Sequence, residues 1–143
     1  MQKTTILKGS EIRRDWYIVD ATGKPLGRLA SKVAQVLRGK GKVGFVPFLD
    51  LGDFVVIVNA SNVSISGKKR EMKTYWRYTG YPGGLRITAF KDVIAKNPEF
   101  VIMHAVKGML PHNRLGRRLL KKLKVYSGPE HPHGAQKPLA LEL

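Results

Sequence analysis

The sequence predicts an α/β fold with a small, mostly parallel sheet. Two observations carry this expectation. The runs WYIVDA (16–21) and FVVIVNA (54–60) are apolar nearly throughout, as strands covered on both faces are. Apolar residues between and after them recur at helical spacing, so strands alternate with helices.

The elements follow in order. Residues 1–14 read as an extended arm and 16–21 as the first strand, with a turn at Thr22-Gly23-Lys24. Pro25 suits a first helical turn, and Leu26, Leu29, Ala30, Val33 and Leu37 then mark one face of a helix ending near Gly39. After the strand at 54–60, Val63 to Ile65 suggests a short strand with a turn at Ser66-Gly67. The aromatic-rich stretch 72–78 reads as extended. TGYPGG (79–84) must be a loop, because its glycines and proline break both periods. A helix covers part of 88–96. Asn97, Pro98 and Glu99 supply a cap, a first-turn proline and a dipole-favoured acid, which starts a helix at 98–109 that Pro111 closes. Asn113 caps a last helix expected over 114–124, and KVYSG (124–128) suggests a last short strand. The whole chain, 1–143, is expected to be one domain with a tail from about 129.

Composition narrows the function. The chain has 143 residues, 43% of them apolar, which suits a folded core rather than a disordered basic tail. Its 26 Lys and Arg against 10 Asp and Glu give a net charge of +16. Such an excess repels itself unless a polyanion neutralises it. With no cysteine, disulfides and thiolate metal sites are excluded. No apolar run approaches the roughly 20 residues of a membrane span, and the N-terminus does not read as a signal peptide. The expectation is a soluble, cytosolic protein.

The charge is concentrated. Seven Lys or Arg and no acid lie between Lys107 and Lys124. On a helix at about 100° per residue, Leu115, Leu119, Leu120 and Leu123 share an arc of roughly 140°. Arg114, Arg117, Arg118, Lys121, Lys122 and Lys124 fill the rest. The leucines would dock this helix and hold six cations on its outer face. Gly116 among the leucines costs about 1 kcal/mol against alanine in a helix, which suggests close backbone packing there. A solvated helix normally mixes signs to gain i,i+4 pairs, so a polyanion-binding face is the better reading. A membrane-surface helix would need its apolar side free.

Two more clusters repeat the sign. Residues 21–49 hold six cations and no acid, among them Lys40 and Lys42 in the basic turn GKGKVG. That turn matches G-x-G-x-x-G only formally, since a helix precedes it and Pro47 soon follows, so it is not a nucleotide fingerprint. Contact with phosphate is its better use. Residues 68–86 hold Lys68, Lys69, Arg70, Lys73, Arg77 and Arg86 against Glu71 alone. Tyr75, Trp76, Tyr78 and Tyr81 are interleaved there. Aromatic rings stack on unpaired bases while cations hold phosphates. Trp76 is the aromatic expected to enter the core instead. Asp50 and Asp53 read as loop and cap residues rather than an acid–base pair. His104, His112, His131 and His133 lack metal spacing, so no metal or other cofactor is expected. A phosphate-ligand enzyme on a Rossmann-like sheet is the alternative, but it lacks a glycine-rich strand-to-helix turn and an acid–base pair.

The segments PLGRLAS (25–31), LRGK (37–40), GDFVVIVNA (52–60), TGYPGGL (79–85), AVKGMLPHNRLGR (105–117), LKVYSGPEHPH (123–133) and AQKP (135–138) carry a resemblance. In family order and across nearly the whole chain, they are similar to ribosomal protein thirteen of the large subunit in its bacterial form. The resemblance implies a three-layer α/β/α fold with a four-stranded sheet and no catalytic residues or small-molecule substrate. It implies a cytoplasmic, ribosomal location, contact with large-subunit RNA and neighbouring ribosomal proteins, and an early role in assembly. Its RNA-facing segments map onto the glycine–aromatic loop, the basic helix with Lys107 and Asn113, and the stretch holding His131 and His133. Tyr78 stands where many relatives carry histidine.

Overall fold

A computed structural model describes residues 7–142. Residues 1–6 of the expected arm lie outside the described residues. The remainder of the arm contains a short 3-10 turn, Gly9–Glu11.

The elements are β1 (Trp16–Asp20), α1 (Leu26–Arg38), β2 (Phe54–Val58), α2 (Lys69–Met72), β3 (Thr74–Tyr78) and β4 (Leu85–Ala89). They continue with α3 (Phe90–Lys96), α4 (Pro98–Met109), α5 (Arg114–Leu120), β5 (Leu123–Val125) and β6 (Leu139–Ala140). Four strands form one sheet in the order β5-β2-β1-β6, and every neighbouring pair is parallel. β3 and β4 form a separate antiparallel hairpin.

Strand alternation sorts the sheet into two faces. Val19, Val55, Ile57, Leu123 and Val125 join a buried core with Leu29, Val33 and Leu37 of α1, Val101, Ile102 and Val106 of α4, and Leu119 of α5. On the other face Trp16 and Phe54 are partners in register, with rings stacked 4.4 Å apart. His133 lies against Trp16, and its Nε2 is 2.8 Å from the Tyr126 hydroxyl. The right-handed crossover rule accounts for this arrangement. The steps β1 to β2 to β5 run one way across the sheet, which sends α1, α4 and α5 to one face. The step back from β5 to β6 runs the other way, which sends its connection to the opposite face. The third layer is therefore thin, a connection with one 3-10 turn, Gly134–Gln136.

Several expectations change in detail. The last helix stops at Leu120 rather than 124, and the strand begins at Leu123, one residue early. Leu123 and Val125 both face the core in strand alternation, and pairing with Val55 and Ile57 outweighs one more helical turn. Val63 to Ile65 forms no strand among the described residues, only a single bridge between Ser64 and Pro25. The helix expected over part of 88–96 is present from Phe90 to Lys96, and the strand before it, β4, was not expected. The tail contributes β6.

The end of β1 is tied by one carboxylate. Asp20 accepts from the Asn59 amide at 3.0 Å and from the Thr22 N–H and hydroxyl at 2.9 and 2.7 Å. These bonds, the one from Asn59 foremost, lower its pKa from 3.8 to about 2. A carboxyl depressed by folding stabilises the fold above its unfolded value, and that contribution is lost as pH falls from about 3.8 towards 2. Asp20→Asn should therefore flatten the pH dependence of stability in that window, as read by urea unfolding at several pH values. An unaltered curve would mean the carboxylate bonds do not hold the turn.

Candidate nucleic-acid interface

The interface is built outwards from the turn between α4 and α5. Asn113 caps α5, its Oδ1 accepting from the Gly116 N–H at 2.8 Å. Gly116 is buried, and a Cβ there would lie 1.8 Å from the Pro111 carbonyl oxygen. The close packing expected at this glycine is present. Leu119 is buried, and Leu115 and Leu120 pack against the core. The apolar side of α5 is thus consumed inside the protein, which removes the membrane-surface reading. Arg114, Arg117, Arg118 and Lys121 remain exposed on the outer side, and Lys107 of α4 is exposed beside them. Lys107, His112, Arg117 and Leu120 line one cleft of about 240 Å³ at the junction.

Two expected members do not belong to this free charge. Lys122 is buried, its Nζ bound to Asp50 Oδ1 and to the Gly52 carbonyl at 2.9 Å. Burial lowers its pKa, opposed by Asp50. Lys42 Nζ pairs with the buried Asp53 at 2.5 Å and donates to the Arg13 carbonyl at 2.8 Å. Both lysines staple the chain after α1 to the sheet. Asp50 and Asp53, read as loop and cap residues, are their partners, and Asp53 also accepts from the Asp15 N–H. Lys124, now on β5, is exposed, away from the α5 face. Lys40 is exposed and lines a cleft of about 600 Å³ with Lys32, a residue outside the expected RNA-facing set. The signal was present, since Lys32 stands on the polar side of α1.

The hairpin carries the other cluster. Arg77 and Arg86 are direct cross-strand partners, and neither is in an ion pair among the described residues. Like charges in that position destabilise a hairpin unless an anion lies between them. With Thr79 and Thr88 they line a cleft of about 560 Å³. Tyr75, on the same face, packs edge-on to Phe100 and His104 of α4, and burial raises its pKa. Tyr75 is thus the anchoring aromatic. Trp76, expected in the core, is 75% exposed because it sits one register position away. Tyr78 and Tyr81 are exposed, as are Lys68 and Lys69 at the start of α2. Lys73 is half-buried, its ammonium 5.4 Å from the Tyr75 ring centre.

A family model for ribosomal protein L13 matches residues 14–132. The chain belongs to the ribosomal protein L13 family. It is 58% identical to large ribosomal subunit protein uL13 of Symbiobacterium thermophilum over the full length of both chains. It is 57% identical to that of Dictyoglomus thermophilum, covering 99% of each, and 54% identical to that of Roseiflexus castenholzii, covering 98% of this chain and 96% of the relative.

This is a family of structural ribosomal proteins rather than enzymes. The span matched to L13 includes the α4–α5 turn and the hairpin, and it stops before His133 and β6. His133 is engaged with Trp16 and Tyr126, and its backbone N–H donates to His131 Nδ1 at 3.2 Å. Burial, then Lys124 and His131, lowers its pKa. Among the described residues no group of three His, Asp or Glu is placed to hold a metal, and no helix is long and apolar enough to cross a membrane.

Proposed function

We propose that this protein is a structural constituent of the large ribosomal subunit in the cytoplasm, where it binds ribosomal RNA and supports early assembly beside neighbouring proteins. One observation carries the reading. Arg114, Arg117 and Arg118 stand exposed on one short helix with Lys121 exposed at its C-cap, none ion-paired among the described residues, and the close packing at Gly116 and the Asn113 cap fix that helix. A fixed pattern of guanidinium forks suits the phosphates of a folded RNA, recognised by shape. Lys40, Lys68, Lys69, Lys107, Lys124 and the Arg77–Arg86 pair extend the footprint. Tyr81, exposed in the hairpin loop, would stack on a base. The relatives bear the name of large-subunit proteins, which supports the same reading.

Changing Arg114, Arg117, Arg118 and Lys121 together to alanine should weaken binding to large-subunit RNA. The log–log salt slope should become shallower by about 0.7–0.9 for each phosphate that is no longer neutralised. Filter binding across a salt series measures both. A folded variant with the parental slope would remove α5 from the footprint.

A further inference from the structure

The β3–β4 hairpin has two faces of opposite chemistry. Its outer face presents Trp76, Tyr78, Leu85 and Ile87, which are 75%, 58%, 56% and 64% exposed. Thr74 and Ala89 complete that face, and it bears no formal charge. The reverse face presents Tyr75, Arg77, Arg86 and Thr88. Backbone bonds from Thr79 N–H to the Gly84 carbonyl and from Phe90 N–H to the Lys73 carbonyl set the alternation of the ladder. They make Trp76–Ile87 and Tyr78–Leu85 the non-hydrogen-bonded pairs, whose side chains approach most closely. The four therefore form a continuous apolar slab in water. Contiguous exposed apolar surface marks an interaction site.

We propose that this outer face docks against an uncharged, apolar surface of a neighbouring protein in the large subunit, while the arginine face is turned to RNA. The proposal rests on the ribosomal reading above. Charge segregation decides between the two kinds of partner. Every base brings a phosphate with it, so a surface that stacks bases needs cations within reach. Here both hairpin arginines project from the opposite side of the strands. Half of the slab is aliphatic, and the cores of protein interfaces are depleted in charge and rich in aromatic residues. Tyr78, expected from the sequence to stack on RNA, belongs to this slab. Tyr75, packed on Phe100 and His104, holds the hairpin to α4 from behind and leaves the slab free.

The test places a benzophenone amino acid at Trp76 and, separately, at Ile87, and irradiates purified large subunits. The expected adduct is a second polypeptide that survives ribonuclease. An adduct destroyed by ribonuclease would reassign the face to RNA, and no adduct from either position in subunits that contain the protein would leave it without a partner; either overturns the proposal. Failure of the tagged and untagged protein alike to sediment with subunits would instead overturn the ribosomal reading itself. As a second measurement, Trp76→Ser with Ile87→Ser should keep the melting temperature and the RNA salt slope. It should lose several-fold in competition with the parent for incorporation into subunits, and equal incorporation would also overturn the proposal.

Discussion

Replacing Lys122 by alanine is expected to destabilise the protein by about 2–3 kcal/mol, less than breaking a fully buried ion pair costs, because Asp50 is partly exposed and keeps Arg14 at 3.8 Å. Lys121→Ala should stay within about 0.5 kcal/mol, as surface substitutions do. The two lysines are adjacent and chemically identical, yet one is buried and the other exposed. Lys122 satisfies Asp50 and the Gly52 carbonyl, and alanine would leave both without it. The pair is not itself a large source of stability. Burial, with repulsion from Arg14, lowers the Lys122 pKa more than Asp50 and Asp53 restore it, so charge at that point is on balance disfavoured. For the same reason Lys122→Ala combined with Asp50→Ala should cost less than the sum of the single changes. For RNA the order reverses: Lys121→Ala should make the salt slope shallower by about 0.7–0.9, and Lys122→Ala should act only through the fold. Denaturant titration and salt-dependent binding give the two readouts. Equal destabilisation by both variants would rule out the buried pair.

Gly116→Ala should cost more than about 3 kcal/mol, beyond the usual range for overpacking. The obstacle is a backbone carbonyl, that of Pro111, 1.8 Å from where the Cβ would stand. No rotamer change relieves it, so α5 must shift away from the turn that precedes it. The shift would strain the Asn113 cap, worth about 1 kcal/mol, and would displace Arg117 and Arg118. RNA affinity should therefore fall even where enough variant remains folded. Gly108→Ala is the matched control. Gly108 lies in α4 with nothing within 4 Å of its Cβ position, and alanine there should add up to about 1 kcal/mol. Thermal melts of the two variants should move in opposite directions. A tolerated Gly116→Ala would mean the α4–α5 turn is loose.

β1, β2, α1 and α4 were legible in the sequence because their signals are local. Six buried positions of α1 keep a 3.6-residue period, and Asn97 with Pro98 announces α4. The end of α5 was not legible. Leu123 continues a helical stripe equally well, and only β2, brought alongside, turns it into a strand. The aromatic cluster failed in a similar way. Tyr75 and Trp76 are neighbours of like character, and Phe100 and His104 of α4 decide which of them is covered. β4 alternates as a strand should, but its apolar side faces out, so no core signal marks it.

By itself the sequence determined that the protein is basic and folded, where its cations cluster, and that a leucine-backed helix would present several of them. These are sums and periods over neighbouring residues. Only the tertiary structure decided which cations are free. It drew Asp50 onto Lys122 and Asp53 onto Lys42, and it turned the hairpin arginines away from the exposed aromatics. Pairing and burial depend on residues distant along the chain, and no local pattern encodes which distant partner will arrive.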